Sequence, residues 1–346
     1  MKRKINVLVV DDSGYVIAVV SQRLEADPDI KVIDSARNGI EAVEKVKSLK
    51  PDVVTMDVVM PEMDGITALQ KIMAECPTPV VMLSALTSEN AATTIKALEL
   101  GAVDFYLKPS SIRPVGGAVA GDALAEKIKA AAASHVARKR NILESGEFTP
   151  KRREPRSTVF DKLVVIGAST GGPRALMELI PALPADIPAA FLVVQHMPPV
   201  FTRTLAERLA QVSQIEVEEA RDGSKICRGV ALLAPGDFHM LVDGGKRIVL
   251  NQDPAVLGVR PSVNVTMNSA ANAFGKSVLG VILTGMGSDG TEGASRIKQL
   301  GGKVIAQDES TSTVYGMPQS VMKAGYADKV LPLRKIAAGI TEACKN

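Results

Sequence analysis

The sequence predicts an α/β protein of two domains, each a doubly wound parallel sheet with helices on both faces. Two observations carry this. Apolar runs of strand length alternate with amphipathic helical stretches in two separate series. Between the series, residues 135–158 (HVARKRNILESGEFTPKRREPRST) show no periodicity and are dense in Lys, Arg and Pro, as an exposed linker is. The expected organisation is a first domain over 1–125, a linker over 126–158 and a second domain over 159–346. A length of 346 residues suits two domains, and 46% hydrophobic content lets both bury cores.

In the first series the runs are INVLVV, KVIDSA, DVVTMDVV, PVVMLSA and AVDFYL. Several are apolar on both faces, as strands sandwiched between helices must be. NGIEAVEKVKSLK and NAATTIKALELG read as the helices between them. The second series consists of LVVIGA, AAFLVVQH, GVALLAPG, RIVLNQ, SVLGVILTG and KVIAQ. No fixed-period repeat appears, which excludes a solenoid.

Bulk properties exclude several function classes. A net charge of +3 does not argue for nucleic acid. The basic linker resembles a DNA-binding arm only in charge, because no recognition helix or zinc motif follows it. The apolar start, Ile5 to Val10, contains Asn6 and is closed by two aspartates, unlike a signal peptide. No run approaches membrane-spanning length. The three cysteines, Cys76, Cys227 and Cys344, are far apart, with neither metal spacing nor a disulfide framework. The expectation is a cytoplasmic protein, not inserted in a membrane.

In an open parallel sheet, ligands gather beyond the carboxyl ends of the strands. The first strand ends at Asp11 and Asp12, the third near Asp57, the fourth at Ser84 and the fifth at Lys108. Acids after strands are also ordinary loop and cap residues, but here matched positions converge on one edge. Oxygen donors of this kind suit Mg²⁺, which neutralises a phosphoryl group while a third carboxylate attacks it. This constellation resembles the response-regulator receiver domain, with a flavodoxin-like fold, over residues 5–125. The resemblance implies that Asp57 is phosphorylated by a chemotaxis histidine kinase. It implies Mg²⁺ held by Asp11, Asp12 and Asp57, and a switch built from Ser84, Tyr106 and Lys108. DDSGYVIAVV departs slightly, lacking the Phe/Met-Arg pair often seen after DDS.

The second domain opens with VVIGASTGGPRALM. GASTG fits G-x-S-x-G between strand and helix, a sharp turn that exposes a serine hydroxyl. A phosphate loop is the alternative, since glycine-rich strand-to-helix turns also bind anions. A Walker loop would need Gly-Lys-Ser/Thr, and Ala168-Ser169 breaks the dinucleotide spacing. A serine nucleophile needs a base, and the chain has His135, His196 and His239. His135 lies in the linker. His196 ends an apolar strand at the edge expected for Ser169. His239 follows a turn and reads more readily as structural. Asp289, in the turn TGMGSDG, is the candidate orienting acid, and glycines there let peptide N–H groups approach an oxyanion. An Asp-Gly pair is also plain turn chemistry.

GASTGGP, QHMPP, APGD, RPSV and ILTGMG together resemble the protein-glutamate methylesterase domain of chemotaxis, and the whole chain resembles CheB-type methylesterase response regulators. The resemblance implies Ser169 as nucleophile, His196 as base and Asp289 as orienting acid. Thr170 and the Met286 backbone would support the tetrahedral intermediate. It implies hydrolysis of glutamyl γ-methyl esters on methyl-accepting chemotaxis receptors, with glutamine deamidation as a second activity, and no cofactor for the esterase. The rival reading is a non-enzymatic receiver whose second domain binds a nucleotide or a partner.

Overall fold

A computed structural model describes residues 3–108, 123–134 and 156–345. The chain divides into two compact units, Met1–Asn141 and Ile142–Asn346. His135 and most of the expected linker lie outside the described residues.

The first unit alternates strand and helix: β1 (Ile5–Val10), α1 (Gly14–Glu25), β2 (Ile30–Ala36), α2 (Gly39–Leu49), β3 (Val53–Asp57), α3 (Gly65–Glu75), β4 (Val80–Ser84), α4 (Ser88–Leu100), β5 (Asp104–Leu107) and α5 (Ala123–Ala132). Its sheet is parallel throughout, in the order β2-β1-β3-β4-β5. That is the flavodoxin-like winding. Central strands β3 and β4 are buried along their whole length, so VVTMD and VVMLS have no polar face to show. Helices α1 to α4 each start where a short polar side chain takes an orphan N–H. Asn38 Oδ1 accepts from Glu41 N at 2.8 Å, and Asp64 Oδ1 accepts from Thr67 N at 2.7 Å.

The second unit runs β6 (Lys162–Ala168), α6 (Gly172–Leu179), β7 (Ala189–Gln195), α7 (Phe201–Val212), β8 (Glu216–Glu219), β9 (Val230–Leu233), β10 (His239–Val242), β11 (Ile248–Asn251), α8 (Val263–Phe274), β12 (Val278–Ile282), α9 (Thr291–Gln299), β13 (Lys303–Gln307), α10 (Gly316–Lys323), β14 (Lys329–Leu331) and α11 (Leu333–Lys345). Seven parallel strands lie in the order β14-β13-β12-β6-β7-β9-β8. The winding reverses between β6 and β12: the chain leaves β6 toward β7 and returns to the other side at β12. A ligand crevice is expected at such a reversal.

Three sequence expectations differ from this architecture. RIVLNQ is no part of the parallel sheet. It forms β11, antiparallel to β10 in a separate hairpin. An apolar run reports burial and not strand direction. The first unit also continues past residue 125, because Leu124, Ala125, Ile128 and Ala131 of α5 belong to the same core as Val7, Val9, Val81 and Leu83. At the other end, Arg156 already pairs with Glu216 and Glu218 of β8, and Arg228 N donates to Ser157 O at 2.8 Å. Edge strands β8 (EVEE) and β14 (KVL) escape a reading based on apolar runs, because edges carry charge and are short. No helix among the described residues is long and apolar enough to cross a membrane.

Candidate functional site

In the first unit, β1 leads into Asp11 and Asp12, and β3 delivers Asp57. Asp11 and Asp57 are buried and Asp12 is exposed, and one ligand oxygen from each falls within 4.8 Å of the others. Lys108 Nζ lies 2.8 Å from Asp11 Oδ2 and 2.7 Å from Asp57 Oδ2. Burial pushes the Asp57 pKa above the usual carboxylate range. The Lys108 ammonium opposes this shift, and the Asp11 charge adds to it. Burial works against the charged form of Lys108, but hydrogen bonds to Asp11 and Asp57 outweigh it and hold that pKa high. The site therefore packs more negative charge than one ammonium neutralises. The donor set is hard oxygen throughout, so these residues fit Mg²⁺.

Ser84 sits at the end of β4 with Thr94 Oγ1 of α4 at 2.9 Å from its hydroxyl, and Lys108 N donates to Ser84 O at 2.8 Å. Thr94 was not singled out in the sequence, since a buried Thr in a helix has no distinguishing pattern. Tyr106 is not brought to Ser84. The β4–β5 register pairs Met82 with Phe105, Leu83 with Tyr106 and Ser84 with Leu107. Side chains alternate with period two along a strand, so Tyr106 shares the Leu83 face, opposite that of Ser84. There it packs against the core that includes Leu83 and Leu124, and its hydroxyl accepts from Arg23 Nη1 at 3.0 Å. Phe105, one residue earlier, shares the Ser84 face. The assignment of Tyr106 as switch aromatic is corrected on that ground.

In the second unit, Ser169 follows β6, His196 follows β7 and Asp289 follows β12. These strands are neighbours, β6 lying between the other two. The turn after β6 is stitched to its surroundings. Ser169 N donates to Thr284 O at 3.0 Å, Gly172 N donates to Ser169 O at 2.8 Å, and Thr284 Oγ1 donates to Thr170 O at 2.9 Å. Gly285 is required by proximity: a Cβ there would lie 2.8 Å from Ser169 Cβ and 2.3 Å from Met317 Sδ. Thr170 is buried, while Met286, the residue after Gly285, is exposed.

His196 Nε2 donates to Asp289 Oδ2 at 2.8 Å; Asp289 is buried and His196 is partly buried. Among the described residues, no hydrogen bond joins Ser169 Oγ to His196. Such bonds often tighten only when substrate binds. With Nε2 committed to the carboxylate, Nδ1 is the ring nitrogen that does not face Asp289.

Asp289 sits at the N-terminus of α8. It accepts from Val263 N at 2.7 Å, Asn264 N at 3.0 Å and Gly290 N at 3.0 Å, and from Ser262 Oγ at 2.9 Å. Ser262, the residue before the helix, thus turns its hydroxyl to Asp289, and Asp289 does the capping in its place. Burial alone would raise the Asp289 pKa. The His196 hydrogen bond and charge, with the Asn264 and Val263 N–H groups, hold it below the ordinary value. A helix start serves an anion well, because its N–H groups have no partner within the helix. Asn264 completes the arrangement, its Oδ1 accepting from Gly290 N and Gly293 N at 2.9 Å each.

His239 lies elsewhere, buried in β10 with Nε2 3.1 Å from Pro254 O. Sequence reasoning missed Ser262, Asn264, Thr284 and Gln195. Only Ser262, in RPSV before a helical pattern, carried a local signal, that of an N-cap.

The CheB methylesterase family model matches residues 164–340, and the response regulator receiver domain model matches residues 7–119. The protein-glutamate methylesterase/protein-glutamine glutaminase of Symbiobacterium thermophilum is 49% identical over 354 residues, covering 99% of this chain and 98% of that one. The protein of the same name from Thermotoga maritima is 46% identical over 346 residues, covering 98% of each. Among solved structures, the Thermotoga maritima CheB methylesterase catalytic domain is 49% identical. It covers 53% of this chain and 99% of its own, with a TM-score of 0.52.

Proposed function

The chain belongs to the CheB methylesterase family, with a response regulator receiver domain preceding the esterase, and we propose that it hydrolyses glutamyl γ-methyl esters on methyl-accepting chemotaxis receptors. The products are glutamate and methanol. One observation carries the reading: a His196–Asp289 pair, 2.8 Å between Nε2 and a buried carboxylate Oδ2, stands beyond the strands that flank the Ser169 turn.

Ser169 Oγ attacks the ester carbonyl, and His196 Nδ1 takes its proton. Asp289 holds the ring in the tautomer that leaves Nδ1 free and stabilises the imidazolium that forms. Backbone at Thr170 and Met286 supports the oxyanion. His196 then protonates departing methanol, and water resolves the acyl-enzyme to glutamate. A glutamine side chain offers the same carbonyl with ammonia as leaving group, so the site also serves as a deamidase. Methyl-labelled receptor membranes incubated with the chain should release volatile methanol. Absence of volatile label would overturn the reading.

A histidine kinase or small phosphodonor phosphorylates Asp57 in the first unit, which raises the esterase rate. Asp11, Asp12 and Asp57 would hold Mg²⁺. The ion supplies charge neutralisation at the phosphoryl oxygens. Lys108, which bridges Asp11 and Asp57, pairs with phosphoryl oxygen once Asp57 carries the acyl phosphate, and Ser84 donates to it. Chelating Mg²⁺ should reduce labelling of Asp57 by a phosphodonor to background. Asp12→Asn removes a direct ligand, so Mg²⁺ affinity should fall by at least the roughly 10–100-fold that loss of a supporting group costs. Mg²⁺ titration of labelling measures this, and unchanged affinity would exclude Asp12 as a ligand.

A further inference from the structure

We propose that Gln195 is a positioning residue that locks the nucleophile turn to the strand carrying the base. The inference rests on Ser169 and His196 acting as nucleophile and base. Gln195 is the last residue of β7 and pairs in register with Ala168, the last residue of β6. His196 N donates to Ala168 O at 3.2 Å, the final rung of backbone pairing between these strands. Beyond it the chains diverge, β6 turning into Ser169–Thr170 and β7 into Met197-Pro198. The Gln195 side chain adds one more rung. Its Nε2 donates to Ser169 O at 3.0 Å and lies 3.4 Å from His196 O. Both amide hydrogens are thereby directed at the backbone of the two reacting residues.

The other end of the amide reports how closely it is seated. Oε1 is buried with no hydrogen-bond partner, and a Cβ on Gly172 would lie 2.0 Å from it. The glycine at the start of α6 thus leaves room for the amide. Two carbonyls accept from Nε2, so the amide cannot flip without pressing its oxygen on both of them. Ordinary core packing would not need this group, since a buried unsatisfied acceptor carries a cost that methionine at the same site would avoid. The interaction retained in exchange is a fixed distance between the Ser169 and His196 backbones.

Gln195→Met keeps length and volume but removes both donors. Misplacing reacting groups by about 1 Å costs on the order of 100-fold in rate. Turnover of methylated receptor membranes by the full chain should therefore fall about 10–100-fold in kcat, with KM changed less than about threefold. The assay is run at a temperature where circular dichroism shows the variant folded. If Gln195→Met does not fold, Gln195→Asn, one methylene too short to reach Ser169 O, is measured with the same expected loss. A folded variant with kcat within about threefold of the parent, or a loss confined to KM, would overturn the proposal. Ser169→Ala measured alongside separates the two readings. If it retains activity, the nucleophile assignment fails; if it is inactive while Gln195→Met is unimpaired, only the positioning role fails.

Discussion

Ser169→Ala is expected to abolish methanol release, with a loss on the order of 10⁴–10⁶ in kcat, and to leave the fold intact. The side chain removed is small and sits in a turn held by its backbone. Ser169 N, Ser169 O and Thr170 O keep their partners Thr284 O, Gly172 N and Thr284 Oγ1. Thermal unfolding should therefore match the parent while the reaction is lost. His196→Ala should show a loss of similar order, because the members of such a unit fail together and their losses do not add. His239→Ala separates the two histidines. His239 Nε2 faces the Pro254 carbonyl, so its loss is expected to lower stability and not kcat in the folded fraction. Equal damage to kcat from His239→Ala would remove the case for His196 as base.

Asp289→Asn should cost activity and stability together. The amide no longer fixes the His196 tautomer, and loss of the acid in a serine triad lowers kcat by about 10⁴. The amide also places N–H groups where the native carboxylate accepts from Val263 N, Asn264 N, Gly290 N and Ser262 Oγ. Breaking a buried charge arrangement of this kind costs about 3 kcal/mol. The sign of its pH dependence follows from the depressed pKa of Asp289. A carboxylate whose folded pKa is lowered stabilises the folded chain above the unfolded value of about 3.9. That contribution is lost as pH falls through the lower folded value. The stability gap between parent and Asp289→Asn should thus be full at neutral pH and close below about pH 4. Urea unfolding at several pH values checks this. A gap that widens in acid would mean that Asp289 is not held as a carboxylate.

The central strands were legible because burial on both faces leaves a mostly apolar run, as in VVTMD and VVMLS. Strand-end residues followed, since Asp57, Ser169 and His196 each stand where such a run stops. Local patterning failed where the information is not local. Tyr106 and Phe105 differ by one position, and the face each occupies depends on the pairing of β5 with β4. RIVLNQ has the composition of a sheet strand, and only its antiparallel partner β10 removes it from the main sheet. Asp289 could be named from a glycine-rich turn, but its donors could not. Ser262 and Asn264 reach it from 27 and 25 positions away in sequence. Gln195 was hidden for the same reason, since its value lies in two backbone carbonyls that the fold brings to it.

The central claim is that phosphorylation of Asp57 governs hydrolysis at Ser169. The direct measurement is methanol release from methylated receptor membranes, with and without a phosphodonor and Mg²⁺, by the parent chain and by Asp57→Asn. Coupling between two sites typically amounts to about 1–3 kcal/mol, or roughly 5–150-fold. The parent should accelerate within that range when the phosphodonor is added, and Asp57→Asn should stay at the basal rate. Equal stimulation of both chains, or no methanol from either, would contradict the account.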